Sequence, residues 1–505
     1  MQQSRLIRHL DTIIAAAIGF YAIHLFTKYS GVGISPDSIM YASTATNIQA
    51  HWSLMTFNET PLVFFPVFYP FFLAVIQFIT RVDPFTAGSV INSCLFAGVI
   101  LITGWMLAKF ITHSRIYKWL ILAAIILSPA LLQIYSFLWS ETLFIFLVML
   151  FILNYHHYLQ KQTTTRLLLT ALVAALACIT RYAGITLIGT GALMLLLDTK
   201  LPTKRKIKHI ALFCILSISF VVINLVHNRL SAGLSTGTRE PSITPLSENM
   251  YYVGTVFNDW GALGAFADHY AIPITIFILF SLIGILIFKT IKGQINSYEN
   301  IIIAYTVVYG LFIILIATFS RFETLNSRLL SPMFIPLVIS CTSWVPDVLQ
   351  RVKGKSKYVL SGLAIVAMLA FEYFTYQIDY QRYDDEMDYG VPGYSDDSWN
   401  KSPFIEFLTS HKQIFKAGVP IYSDANEAVY FFLGIPSTLV PHHFFKKTID
   451  DFFKVKHYYY IWFKALDNNK ELLNINDIQK QEKLKLLYSY PDGAVYEYTG
   501  ENVNH

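Results

Sequence analysis

The stretch LLLTALVAALACITRYAGITLIGTGALMLLL, residues 167–197, decides how the chain folds. It is apolar apart from a few hydroxyl-bearing residues and the Arg181–Tyr182 pair near its middle. As a single helix it would extend about 46 Å at ~1.5 Å per residue, whereas the hydrocarbon core of a bilayer is about 30 Å thick. It would also hold a guanidinium deep in that core, at a cost of ~2.5 kcal/mol or more unless the charge meets water or a partner. Two short spans meeting at Arg181 and Tyr182 remove both difficulties.

Working outward, nine further apolar runs flank this segment, at 10–26, 85–108, 119–138, 143–159, 210–225, 272–288, 301–319, 329–345 and 358–376, which predicts eleven spans in all. The composition agrees. Of 505 residues, 54% are hydrophobic and 14% charged, against roughly 45–50% and 25% in a soluble domain, which excludes an ordinary cytosolic enzyme. The run at 10–26 follows Arg5 and Arg8 like a signal peptide, but without a small-residue cleavage site, and it reads as a retained first span. Residues 61–80 contain Pro61, Pro66 and Pro70, which leave too little uninterrupted helix to cross; they read as an outer-surface or re-entrant helix.

Charge then orients the chain. With the N-terminus inside, the inner loops carry Arg5, Arg8, Lys109, Arg115, Lys118, Lys161, Arg166, five basic residues at 200–208, Lys289, Lys292 and four at 351–357, eighteen on one side. That is the positive-inside pattern, and it places a multi-pass protein in the plasma (inner) membrane with a cytoplasmic N-terminus and an extracytoplasmic C-terminal domain. The reading gives a membrane domain at 1–378, with outer loops at 27–84 and 231–270, and a small α/β domain at 379–505. In the latter, 419–422 and 458–463 read as strands, 427–433 as a helix and 484–498 as a hairpin around Pro491-Asp492-Gly493. The loop 231–270 is long enough to be a lid or a plain connector.

The scarce ionisable residues at apolar borders fall on the outer side: Asp37, Glu141, Arg181, Arg321, Glu323 and Arg328. Charges of both signs gathered at one boundary suggest a wet, outward cavity. Each has a plainer reading. Ser35-Pro36-Asp37-Ser38 is a good helix start, Ser140-Glu141 can be an interfacial helix N-terminus, and Arg321 and Arg328 can snorkel. Arg181 is the hardest to dismiss because of its depth. His156-His157 and His442-His443 read as interfacial or surface residues, since adjacent positions point to different helix faces. Cys94, Cys178, Cys214 and Cys341 all lie in apolar runs, which argues against a disulfide framework or a zinc site. A net charge of +5, placed for topological reasons, does not point to nucleic acid. There is no P-loop, dinucleotide fingerprint or nucleophile elbow.

Three local patterns resemble the GT-C superfamily of membrane glycosyltransferases, in particular the bacterial relatives of protein mannosyltransferases and the lipid A aminoarabinose transferase. Ser35-Pro36-Asp37-Ser38-Ile39-Met40-Tyr41-Ala42, followed by Phe65-Pro66-Val67-Phe68-Tyr69-Pro70, is similar to the family's acidic first outer loop and Pro-Tyr-Pro segment. Trp139-Ser140-Glu141-Thr142-Leu143-Phe144 stands at the place of its second acid, and Thr180-Arg181-Tyr182-Ala183-Gly184 resembles the basic residue and glycine that join two short helices. Arg328-Leu329-Leu330-Ser331-Pro332 adds a weaker match. The sequence departs from the family in having Ser38 after Asp37 and glutamate at 141, so no metal-binding acid pair is evident locally and a divalent metal is left open.

The resemblance implies a polytopic α-helical membrane protein that takes a sugar from a polyprenyl-phosphate donor to a glycan, lipid or protein acceptor on the outer (periplasmic) side, with inversion at the anomeric carbon. It implies Asp37 as general base or acceptor-orienting group, Glu141 as a residue positioning the acceptor or an arginine, and Arg181 and Arg328 as ligands of the donor phosphate. Arg321, Glu323, Tyr41 and Tyr182 are second-tier candidates. A donor whose tail stays in the membrane lipids needs no soluble nucleotide site, in keeping with the missing nucleotide motifs. The rival readings are a transporter or flippase of a lipid-linked saccharide, which would be expected to show internal repeats, and a polymerase of different architecture.

Overall fold

The computed structural model describes residues 2–111, 114–237, 239–321, 323–464 and 469–500, with the side chains of residues 2–8 outside that description. The quoted segment divides as its length requires. Helix Thr164–Thr180 ends at Arg181, whose backbone is extended (φ −145°, ψ 138°); a 3-10 turn, Tyr182–Gly184, then leads into helix Ile185–Leu197. A β-carbon on Gly184 would lie 2.5 Å from the backbone carbon of Ala177, so the turn closes onto the preceding helix only because residue 184 lacks a side chain.

Among the described residues, eight helices are long and apolar enough to cross a membrane: His9–Phe26, Pro84–Phe110, Ser140–Lys161, Thr203–Ala232, Ala265–Ile291, Tyr298–Phe319, Ser327–Arg351 and Lys355–Tyr389. A ninth crossing forms if Arg115–Ile126 and Pro129–Ser136, bent by 48°, are counted together. The single helix expected at 119–138 is broken because Pro129 starts a new helix capped by Ser128, whose side chain accepts from Leu131 N. Eleven is reached only by adding the two shorter helices of the quoted segment, and their length does not establish them as separate crossings. Helix Phe68–Thr80, at 13 residues, is too short to cross. The last long helix runs to Tyr389, beyond the apolar run that ends near 376: hydropathy marks where lipid would end, and the backbone continues helical through the charged residues after it.

The residues group into two compact units, 1–28 with 62–72 and 87–384, and 29–61 with 73–86 and 385–505. In the first, Asp11 and the buried Lys118 form an ion pair at 2.7 Å, and the expected outer loop contains a helix, Leu246–Trp260, and a 3-10 turn, Ala265–Tyr270.

The second unit contains a five-stranded sheet in the order β2-β1-β3-β5-β4, with β1 Ile421–Ser423, β2 Thr438–Leu439, β3 Tyr458–Trp462, β4 Lys485–Ser489 and β5 Ala494–Tyr498. β1 is parallel to β2 and β3, and β5 is antiparallel to β3 and β4. Tyr458, Tyr460 and Tyr498 pack with Val440, Phe452 and Ile478 in its core. Residues 391–395 grip the first loop: Val391 N donates to Ser30 Oγ (2.8 Å), Tyr394 N to Ile34 O (2.8 Å) and Ser395 Oγ to Val32 O (3.1 Å). Gly393, at φ +107°, comes so close to Ile34 O that a β-carbon would stand 2.3 Å from it. Helix Pro36–His51 follows directly, and Phe57 packs on Tyr430 with ring centroids 4.9 Å apart.

Candidate active site

Within the first unit, three residues far apart in sequence meet. Glu141 begins helix Ser140–Lys161 and is fully buried. Its Oε2 lies 2.8 Å from Arg181 Nη1 and its Oε1 lies 2.6 Å from Arg328 Nε. A buried carboxylate without compensation is costly, and here each oxygen faces a guanidinium. Two positive charges around one negative leave these three residues with a net positive charge.

Local structure fixes each member. Asn92, buried on helix Pro84–Phe110, donates to Tyr135 O (2.9 Å) and Phe137 O (2.7 Å), holding the bend that leads into Trp139-Ser140-Glu141. Tyr135 Oη adds a bond to Thr142 O at 3.1 Å. Arg181 is presented by the extended residue between two helices, and its Nη1 also donates to Ser140 Oγ at 3.0 Å. Arg328 sits on the short helix Ser327–Leu330, whose start is capped by Asn326 and whose Ser327 Oγ accepts from Trp260 Nε1 at 2.9 Å. The Arg328 guanidinium lies over the Trp139 ring, 4.0 Å from its centroid, in a cation–π arrangement that orients the plane of the group.

Some contributors escape a reading based on ionisable residues. Trp139 and Ser140 contact the arginines directly; the sequence marks them only as members of the Trp139–Phe144 stretch around Glu141. Tyr69, fully buried, faces Thr142 and lies within electrostatic reach of Glu141, while Tyr309 is similarly close to Arg181 and Glu141. Tyr69 belongs to the Pro-Tyr-Pro segment; Tyr309 lies inside an apolar run with nothing to mark it.

The remaining candidates are placed as follows. Asp37 is half-buried in the first turn of helix Pro36–His51 in the second unit, behind a capping box in which Ser35 and Ser38 bond reciprocally. Tyr41, on the same helix, is buried. Arg321 N donates to Glu240 O at 2.8 Å, tying the segment after helix Tyr298–Phe319 to the loop that follows residue 232. Glu323 is exposed, and Tyr182 directly follows Arg181 in the 3-10 turn. His156 stacks on Tyr298 at 3.5 Å. Among the described residues no three His, Cys, Asp or Glu side chains stand together as a metal-ion site.

The architecture matches solved structures along nearly its whole length. The crystal structure of ArnT from Cupriavidus metallidurans in the apo state is similar with a TM-score of 0.57 at 10% identity, covering 98% of this chain and 98% of that one. ArnT from the same organism bound to undecaprenyl phosphate gives 0.57 at 11% identity, with 97% of each chain covered. No family profile and no curated protein matches the sequence. The chain therefore has an ArnT-like fold, a likeness visible in three dimensions but not in overall sequence.

Proposed function

We propose that this chain is a GT-C-type membrane glycosyltransferase that moves a sugar from a polyprenyl-phosphate donor to an acceptor on the outer face of the membrane. The observation that carries the reading is the buried Glu141 clasped by Arg181 and Arg328, in a fold shared over 97% of the chain with a protein solved with undecaprenyl phosphate bound.

The chemistry follows from charge. A polyprenyl-phosphate sugar is a singly charged phosphodiester, and the departing polyprenyl phosphate gains charge as its bond to the anomeric carbon breaks. Preorganised guanidiniums near that oxygen stabilise the transition state more than the ground state. Arg181 and Arg328 take this role, since a guanidinium matches phosphate oxygens in a bidentate fork. Glu141 is the residue that positions them. Its buried carboxylate fixes both arginines before the donor arrives, which limits reorganisation during reaction. Asp37 takes the proton from the acceptor hydroxyl as that oxygen bonds to the anomeric carbon, giving inversion. In this reading residues 1–378 are the catalytic part and 379–505 an extracytoplasmic domain supporting the loop that carries Asp37, a role in keeping with the hydrogen bonds from 391–395 to Ser30, Val32 and Ile34. Arg321, Glu323 and Tyr41 lie outside the primary set.

Direct binding of undecaprenyl phosphate to the purified protein in nanodiscs, with undecaprenol as the uncharged control, tests the phosphate assignment. The phosphate should tighten binding at least about tenfold, and Arg181→Ala should abolish that difference, since losing a charge-assisted hydrogen bond costs ~1.5–3 kcal/mol. Equal affinity for the two lipids would overturn the reading.

A further inference from the structure

The outer loop at 231–270 contains helix Leu246–Trp260, and that helix is anchored at both ends. Near its start Asn249 Nδ2 donates to Thr318 Oγ1 (3.1 Å), at the end of helix Tyr298–Phe319, and Met250 O accepts from Thr275 Oγ1 (2.9 Å) on helix Ala271–Ile291. Near its end the buried Asn258 donates to Asp268 Oδ1 (3.1 Å), in the 3-10 turn that leads into helix Ala271–Ile291. A helix held in this way is a strut, and what it presents is its last residue.

That residue, Trp260, reaches the root of Arg328. Its Nε1 donates to Ser327 Oγ at 2.9 Å, and its ring meets Phe334 edge-on with centroids 5.0 Å apart. Arg328 has little support of its own. Glu141 stands on a helix of 22 residues, whereas Arg328 stands on one of four, Ser327–Leu330, and a single turn is not stable by itself. Asn326 Oδ1 accepts from Leu329 N (3.1 Å), Ser331 Oγ donates to Arg328 O (2.8 Å) and Tyr309 Oη donates to Leu329 O (2.8 Å), but these bonds hold the backbone after Ser327. Packing does not take over at Ser327, because a cavity of about 650 Å³ lies against both Ser327 and Trp260. Close-packed neighbours fix an interior residue from every side. On the cavity side that confinement is missing, and the indole bond sets where the turn stands.

We propose that Trp260 is a positioning residue for the transfer reaction: through Ser327 it sets where the Arg328 guanidinium stands relative to the departing phosphate, and helix Leu246–Trp260 is the strut that holds it there. Its effect on the reaction passes through Ser327 and Arg328. The proposal rests on the reading that Arg328 stabilises the departing phosphate.

The test is a double-mutant cycle on steady-state transfer from the preferred polyprenyl-phosphate sugar, with Trp260→Phe, Ser327→Ala and the two combined, and with Ser327→Thr and Arg328→Ala beside them. Trp260→Phe removes the N–H donor and keeps an aromatic ring against Phe334; Ser327→Ala removes the acceptor and serves if the tryptophan variant folds poorly. Each single variant should lower kcat about tenfold or more while KM changes less than about threefold, because a misplaced arginine loses transition-state stabilisation more than donor binding. The double variant should be no slower than the slower single one, since both substitutions remove the same bond. Ser327→Thr keeps an acceptor, with the cavity to take its methyl group, and should retain most of the rate. A merely structural bond would lower the melting temperature without this split. Unchanged kcat in both single variants, multiplied losses in the double variant, or a Ser327→Thr rate as low as that of Ser327→Ala would overturn the proposal. Equal turnover by Arg328→Ala and wild type, or wild type that consumes no donor, would instead remove the reading of Arg328, and the positioning role with it.

Discussion

At Glu141 the two readings open at the level of sequence, helix dressing and site chemistry, prove compatible. The residue does open a helix, yet its carboxylate is buried and engaged by Arg181 and Arg328. Removing one partner of such a cluster leaves an uncompensated charge, so Glu141→Ala should cost ~3–5 kcal/mol. Glu141→Gln should lower the melting temperature less but still impair transfer, because the arginines lose their anchor; full turnover by a stably folded Glu141→Gln protein would refute the positioning role. Asp37→Asn should insert and fold normally, its capping box being made by Ser35 and Ser38, and lose transfer by about two to four orders of magnitude if it supplies the base. A third carboxylate reports on pH. Burial pushes the carboxyl of Glu482, which accepts a hydrogen bond from Tyr458, up to about 7. A carboxyl whose pKa is raised on folding favours the folded state while protonated, so its contribution is fully present below about pH 4.5 and is lost as pH rises through 7. The melting temperature should fall over that interval in wild type and less in Glu482→Gln; parallel profiles would exclude the residue.

At the scale of elements, much of the site is legible because length and charge conflict with a single helix at 167–197, and the chain resolves the conflict by breaking at Arg181. The break depends on a close approach. Gly184→Ala places a carbon 2.5 Å from the backbone of Ala177; it should destabilise by ~1–3 kcal/mol and weaken undecaprenyl phosphate binding by displacing Arg181. Normal stability and binding would show that the turn can open without cost. Other elements were not readable by hydropathy. Nothing in the apolar run at 119–138 except Pro129 signals its bend of 48°. Asn92, which holds the bend's exit, looks like an isolated polar residue in a span.

For the molecule as a whole, the strands expected at 419–422 and 458–463, the helix at 427–433 and the hairpin at 484–498 form close to those positions, whereas the strand Thr438–Leu439 and the helices Lys446–Phe452 and Ile475–Gln479 lie outside those expectations; alternation and turn residues mark the former. What the sequence does not show is that residues 29–61 pack with 385–505 as one unit, because the bonds involved join backbone groups to each other and to the hydroxyls of Ser30 and Ser395, common residues that mark no partner in sequence. The orientation of the molecule is tested by impermeant thiol labelling of intact cells in a background without the four native cysteines. Ser410→Cys should label directly and Lys204→Cys only after permeabilisation; the opposite result would invert the topology and place the loop that carries Asp37 on the wrong face for the proposed reaction. The most direct test of the central claim is incubation of the purified wild-type protein and its Arg328→Ala variant with a panel of polyprenyl-phosphate sugars and acceptors, scoring release of polyprenyl phosphate. At least one donor should be consumed by wild type, with the rate reduced about a hundredfold or more in the variant, as expected when a charged group that stabilises the transition state is removed. Folded wild-type protein that releases polyprenyl phosphate from no donor, or equal rates for the two proteins, would contradict it.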